Sequence, residues 1–283
     1  MKFKLTLIAL LAAALVNSPA ASAGELPFQS GEHMVYKLKY KLGVINADIA
    51  TLDFDIKKET YNGEPCFRLM TKGATSNLAA SIVKVSYKYD CRFTVDGLVP
   101  RTFYREQTEG DYWAKNNYTW DASGRELHAI VDKSTRPHRD TVFTDKSIIY
   151  DVISVLYAVR AADLDAAKGG KTLNFMAALD CNLNDVTVSY VKTETKKFQD
   201  LGTLEVDKFV MYYQPRKGAE RLDKESTIAV STGSDGKLVP IYLWITPDES
   251  RTIVGLSTAI AIGSVVGRLV SAEGGKRPIQ TTK

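Results

Sequence analysis

The chain is 283 residues long, with 45% hydrophobic, 10% aromatic and 25% charged residues. That is the balance of a folded globular protein, so disorder and collagen-like repetition are excluded. Lys and Arg total 37 against 33 Asp and Glu, a net +4 without a basic run, which is a poor footprint for nucleic-acid binding. With only three His and three Cys, most metal sites and His-dependent catalytic schemes lose their raw material, so neither a metal nor another cofactor is expected.

Lys2 and Lys4, the apolar run 5–16 and the triplet Ala21-Ser22-Ala23 before Gly24 make residues 1–23 a secretory signal peptide. A transmembrane helix needs about 20 apolar residues, and Asn17-Ser18-Pro19 ends this run short of that. Removing the segment leaves 260 residues (283 − 23) and, because it holds two Lys and no acid, a net charge of +2. The expected product is exported, periplasmic or otherwise extracytoplasmic, without a membrane span after processing. An oxidising compartment makes Cys66, Cys91 and Cys181 disulfide candidates with one left over. If a pair forms, Cys66 with Cys91 is favoured, because both fall on neighbouring strand-like segments. Three buried free thiols is the other reading, since free Cys is often buried.

From Met34 to Leu42, Met34, Tyr36, Leu38, Tyr40 and Leu42 alternate with Val35 and three lysines, the period of a half-buried strand. Leu52, Phe54 and Ile56 continue the pattern beyond Gly43, and Asn62-Gly63 supplies the next turn before Cys66–Thr71, because both turn residues tolerate positive φ. A ladder of Val85, Tyr87, Tyr89, Cys91, Phe93 and Val95 follows, closed by Asp96-Gly97, with a return strand through Arg105. Tyr112–Trp120 and Leu127–Val131 form another hairpin around Ser123-Gly124.

Ser147–Ala167 breaks the period. Ile148, Ile149, Val152, Ile153, Leu156 and Val159 recur at helical spacing, with Asp145 as candidate cap and Gly169-Gly170 after the end. Alternation then returns at Val186 to Tyr190, Leu204 to Tyr212, Ile228 with Val230, and Leu238–Ile245. Two closing strands fill Val254–Val270, which Gly263, Gly267 and Arg268 make too broken to span a bilayer. Glu273–Lys283 is a polar tail, expected to be loose. The fold expected is therefore mainly β: antiparallel, curved or barrel-like sheets of about a dozen strands with one principal α-helix packed on a face. Residues 24–272 read as a single unit. Two similar halves meeting near 168–171 are the alternative, suggested by Asp96-Gly97-Leu98-Val99-Pro100 and Asp235-Gly236-Lys237-Leu238-Val239-Pro240, although Asp-Gly turns also recur for backbone reasons alone.

Several phrases belong together. Ser30-Gly31-Glu32 before a Tyr-rich strand, Asp96-Gly97-Leu98-Val99-Pro100, the helix phrase Tyr150-Asp151-Val152-Ile153-Ser154-Val155-Leu156-Tyr157 followed by Arg160 and Leu164, and Trp244-Ile245-Thr246-Pro247-Asp248 resemble an exported bacterial family, domain of unknown function 3108. The similarity runs from about Phe28 to Leu269 and departs from the family pattern at Thr252, where a proline is expected. It implies an exported β-rich protein and brings no catalytic residues.

Catalysis needs a positioned acid, base or nucleophile, and His33, His128 and His138 stand beside no nucleophile motif. Neither a Gly-x-Ser-x-Gly elbow nor a phosphate loop occurs, and Ser231–Gly236 has turn composition. Asp53 and Asp55 share a strand face, but their alternation with Leu52, Phe54 and Ile56 is that of a solvated face. Asp151, Ser154, Tyr157 and Arg160 recur every three residues as a polar stripe along the helix, either facing a ligand groove or locking the helix onto the sheet. Strand tyrosines, Tyr87 and Tyr89 among them, combine an apolar body with a polar tip suited to a cleft. Those six residues are the candidate ligand-binding set. The function expected is non-enzymatic binding or envelope assembly, with an apolar, amphipathic, lipid or glycan ligand, or an envelope protein or partner segment, on a concave β surface. The alternative is a hydrolase of envelope glycans or lipids acting through paired carboxylates.

Overall fold

The computed structural model describes residues 25–75, 85–216, 237–259 and 263–281; the expected signal peptide, the expected strand with Ile228 and Val230, and the stretch Ser231–Gly236 lie outside them. In chain order the strands are β1 (His33–Leu42), β2 (Ile45–Tyr61), β3 (Glu64–Thr75), β4 (Val85–Thr94), β5 (Pro100–Glu109), β6 (Tyr112–Trp120), β7 (Glu126–Lys133), β8 (Arg136–Thr144) and β9 (Ile149–Tyr150). After helices α1 (Ser154–Ala161) and α2 (Leu164–Lys168) come β10 (Leu173–Leu179), β11 (Asn182–Phe198), β12 (Gly202–Pro215), β13 (Ile241–Ile245), β14 (Ile253–Ala259) and β15 (Ser264–Glu273).

The fifteen strands among the described residues belong to one sheet, in the order β8-β7-β6-β5-β4-β3-β2-β1-β15-β14-β13-β12-β11-β10-β9. Two meanders are thus joined by the antiparallel pairing of β1 with β15, where Leu38 faces Gly267 and Tyr36 faces Leu269. The turns follow local chemistry: Asn62 (φ 49°) and Gly63 (φ 82°) occupy the left-handed region, as a tight hairpin matched to strand twist requires. The sheet is not closed. Its edges, β8 and β9, are consecutive in the chain and held near each other at one end, where Ile149 of β9 donates to the Gly124 carbonyl in the β6–β7 turn (2.8 Å). Edge strand β8 carries Arg136, His138, Arg139 and Asp140 and is mostly exposed, a charged rim of the kind that discourages edge-to-edge association.

Helix α1 lies between two hydrophobic clusters. Ile153, Tyr157 and Ala161 join a cluster with Phe28, Phe67, Phe93 and Leu269, whereas Val155, Ala158, Val159 and Ala162 pack with Phe209, Leu243 and Ile245. An eight-residue helix is marginal alone; packing on both sides stabilises it.

The helical region departs from the sequence expectation. Ile149–Tyr150 is strand, and the helix begins only at Ser154, because the Asp151 carboxylate takes the N–H groups of Ile153 (2.8 Å) and Ser154 (2.9 Å) and so starts the first turn there. Asp145 instead accepts from Ser147 N, and Asp163 caps α2 through Ala166 N. Strands β8 and β10 had no alternating signal: the first is polar on both faces and the second, LNFMAAL, is apolar almost throughout. All three cysteines are free and buried, the second of the two readings, and no Cys66–Cys91 bridge forms. Cys66 faces Thr94, while Cys91 faces Leu69; an offset of three residues puts the two thiols on opposite faces of the sheet. The tail is anchored, with Gln29 Nε2 donating to the Gly274 carbonyl (2.9 Å), Arg277 N to Ser250 Oγ (3.1 Å), and Ile279 on the core.

Candidate functional site

Residues separated by more than two hundred positions meet at the C-terminal end of α1. Arg160, 1% exposed, donates from both terminal nitrogens to the Glu32 carboxylate (2.6 and 2.9 Å), and from Nε and Nη2 to the carbonyls of Arg251 (3.1 Å) and Ser250 (3.0 Å). Its guanidinium lies 5.3 Å from the Phe28 ring centre and 5.1 Å from that of Tyr157, a stacked geometry that favours cations. Burial opposes the Arg160 charge, but Glu32 outweighs it and keeps the group protonated. The Arg251 side chain in turn donates to the Ala162 carbonyl (2.6 Å), satisfying an open helix end. Ser30-Gly31-Glu32, the helix phrase and the loop after Trp244–Asp248 therefore converge on one buried ion pair.

Beside this pair a cavity of about 200 Å³ separates α1 from the inner faces of β1, β2 and β12–β15. Leu38, Leu52, Phe54, Leu156, Met211 and Leu256 are among the residues of its wall. The wall follows from alternation: on β2, Leu52 and Phe54 point inward while Asp53 and Asp55 point out, and Val152 in the turn before α1 and Leu156 on α1 line the same cavity. Tyr157 and Arg160 close one end. Tyr36 also lines the cavity, with its hydroxyl donating to the Ile253 carbonyl (2.7 Å), whereas the buried Tyr157 hydroxyl has no hydrogen-bond partner. Burial pushes the Tyr157 phenol well up, so it stays neutral.

Of the six sequence-derived candidates, Tyr157 and Arg160 line this cavity. Asp151 and Ser154 are buried at the other end of the helix, where the Asp151 carboxylate also accepts from Ser154 Oγ (2.6 Å); burial raises the Asp151 carboxyl, partly offset by these donors. Tyr87 and Tyr89 belong to a separate polar interior on the first meander. There Arg105 bonds Asp180 (2.8 Å) and Gln107 (2.6 and 3.0 Å), Lys133 reaches Asp180 (2.8 Å), and Gln107 continues to Glu109 (2.6 Å), which also receives the Tyr87 hydroxyl. Sequence reading missed Glu32, which stood in a quoted phrase but carries no local sign of burial, and the aliphatic part of the cavity wall, whose Leu and Met residues are indistinguishable from core. The histidines sit with single carboxylates away from the cavity: His33 with Asp55 (2.8 Å), His128 with Asp140 (2.6 Å) and His138 with Asp132 (2.7 Å). Among the described residues no cluster of His, Cys, Asp and Glu could hold a metal ion, and no helix is long and apolar enough to cross a membrane.

None of the curated proteins compared with the chain matches it. A β-barrel-like protein of domain of unknown function DUF1849 from Brucella abortus is similar in fold, with a TM-score of 0.50 and 9% identity over 86% of this chain and 97% of that one. With residues 35–270 matching the profile of the family described as protein of unknown function DUF3108, the chain belongs to that family.

Proposed function

We propose that the protein is an exported, non-enzymatic binding protein that holds an apolar or amphipathic small molecule between α1 and the curled sheet. The observation that carries this reading is the cavity of about 200 Å³ with an almost wholly aliphatic and aromatic wall. Cavities of roughly 150 Å³ lined by Leu, Ile and Phe stay dry and take up apolar guests, and a well-packed interior does not otherwise tolerate such a void cheaply. Export is supported by the N-terminal signal pattern, and extraction of an apolar molecule from an envelope is consistent with it. Hydrolysis through paired carboxylates draws no support from the placement of Asp53 and Asp55 on the outer face, or from Asp151, whose oxygens are engaged by its own helix.

Titration of the processed protein with anilinonaphthalene sulfonate, read by fluorescence, tests the reading. Leu256→Trp, which fills the cavity, should weaken dye binding by about tenfold or more while thermal melting holds. Equal dye binding by the filled variant would overturn it.

A further inference from the structure

Resting on that reading, we infer that the ligand is a molecule bearing a single unbranched acyl chain, taken up tail first with its head left at the rim. The cavity is a slot. One end is half-buried, at Ile241 and Thr258, and the other is fully buried, at Met34, Ile253 and Arg160. Thr258 lies level with Ile241 and Val265 in the sheet register, and Ile253 level with Ile245. The bulge at Val254 leaves the span from Thr258 to Ile253 equal to the four steps from Ile241 to Ile245 on β13, so the slot runs about 13 Å at roughly 3.3 Å per residue. A volume of about 200 Å³ spread over that length admits one chain abreast.

Two features choose chain over ring and tail over head. Gly267 forms the middle of the wall, where an added Cβ would stand 3.4 Å from Leu38 Cδ2 and 3.8 Å from Leu256 Cβ; the bore is therefore set by the absence of a side chain and flanked by flexible leucines. At the floor, Arg160 is already matched by Glu32 and two carbonyls. A carboxylate arriving there would find a neutralised cation and the Glu32 charge beside it, and would lose its hydration without compensation. An apolar terminus brings no hydration shell to lose there, and the unpartnered Tyr157 hydroxyl at the floor offers a carboxylate one neutral donor in place of that whole shell. Away from the floor the polar lining side chains are Tyr213 and Thr258, on the half of the slot where a head group would rest.

Calorimetric titration of the processed protein with octanoate, dodecanoate, methyl dodecanoate and cholesterol tests this. Affinity should rise from octanoate to dodecanoate, acid and ester should agree within about threefold, and cholesterol should bind more weakly than either. Gly267→Leu should weaken dodecanoate by about tenfold with circular dichroism and melting retained, and Leu256→Trp should do the same from the facing strand. A free acid favoured more than about tenfold over its ester would place the head at Arg160 and overturn tail-first entry. Tighter binding of cholesterol, or undiminished binding by both variants, would overturn the chain-wide slot while leaving an apolar binding protein. Failure of every probe, the anilinonaphthalene dye included, would bring down the binding reading itself.

Discussion

At the scale of single residues, the Glu32–Arg160 pair has no solvent to fall back on. Removing one charge leaves the other buried and unmatched, so Glu32→Gln should cost about 3–5 kcal/mol, whereas Glu32→Leu with Arg160→Met should cost less than the single change, because it removes both desolvation penalties. Urea denaturation of the three proteins checks this ordering. Asp151 carries the opposite sign. Burial raises its carboxyl in the folded chain despite the donors from Ser154 and Ile153, so its contribution is present below the unfolded pKa and lost as pH rises through the raised folded value. Asp151→Asn keeps an acceptor for the helix start without the charge. It should match or exceed the parent in stability at pH 7 and lose that advantage in acid, as melts at pH 4 and pH 7 would show. Asp151→Ala, lacking the acceptor, should be destabilised by about 1 kcal/mol.

At the scale of elements, the seam between the two sheet edges depends on the β6–β7 turn. Gly124 sits at φ +70°, and a Cβ there would stand 2.5 Å from Val99 Cγ1 and 3.3 Å from Ile148 Cγ2. Gly124→Ala should therefore cost about 2 kcal/mol through strain and overpacking, with faster amide exchange at Ile149, whose donor bonds the Gly124 carbonyl. The β10–β11 turn is the second device. Asp180 and Cys181 both adopt left-handed backbone (φ 47° and 57°), a conformation that Asp tolerates and Cys rarely takes, and the turn thereby delivers the Asp180 carboxylate to Arg105 and Lys133 on the other meander. Burial alone would raise that carboxyl, but Arg105 and Lys133 outweigh it and hold it below the ordinary range. Its stabilisation is thus present above the unfolded pKa of about 3.9 and lost as pH falls through the lower folded value. Asp180→Asn should lower stability at neutral pH by about 3–5 kcal/mol and flatten the acid limb of the stability profile; an unchanged acid limb would argue against the turn as a latch.

At the scale of the molecule, one hydrogen-bonded sheet runs through both meanders, and a single hydrophobic cluster draws Phe67, Phe93 and Trp120 from the first and Leu204, Trp244 and Leu269 from the second. The 168–171 connection, the weakest point of the sequence pattern, lies between α2 and β10. Residues 25–168 and 171–281 produced separately should each lack a cooperative melt, and co-expressed they should recover one. Independent folding of either half would contradict a shared core.

The strand ladder, the Asn62-Gly63 turn and the all-β class were legible because period-two alternation and turn chemistry are local, written within a few residues of where they act. Strands β8 and β10 were not, since a strand polar on both faces or buried on both faces has no alternation to read. The polar stripe was visible as spacing, yet its meaning divided: Asp151 serves its own helix, whereas Arg160 answers Glu32, 128 positions away. The cavity had no signature at all. Leu38, Leu256 and Gly267 are brought together only when β1 pairs with β15 and β15 with β14, and an unfilled volume is a property of how apolar side chains fail to meet. By itself the sequence determined which residues turn inward; which of them touch, which charges pair and where space is left were decided by the tertiary structure, because long-range register and packing have no counterpart in local propensity.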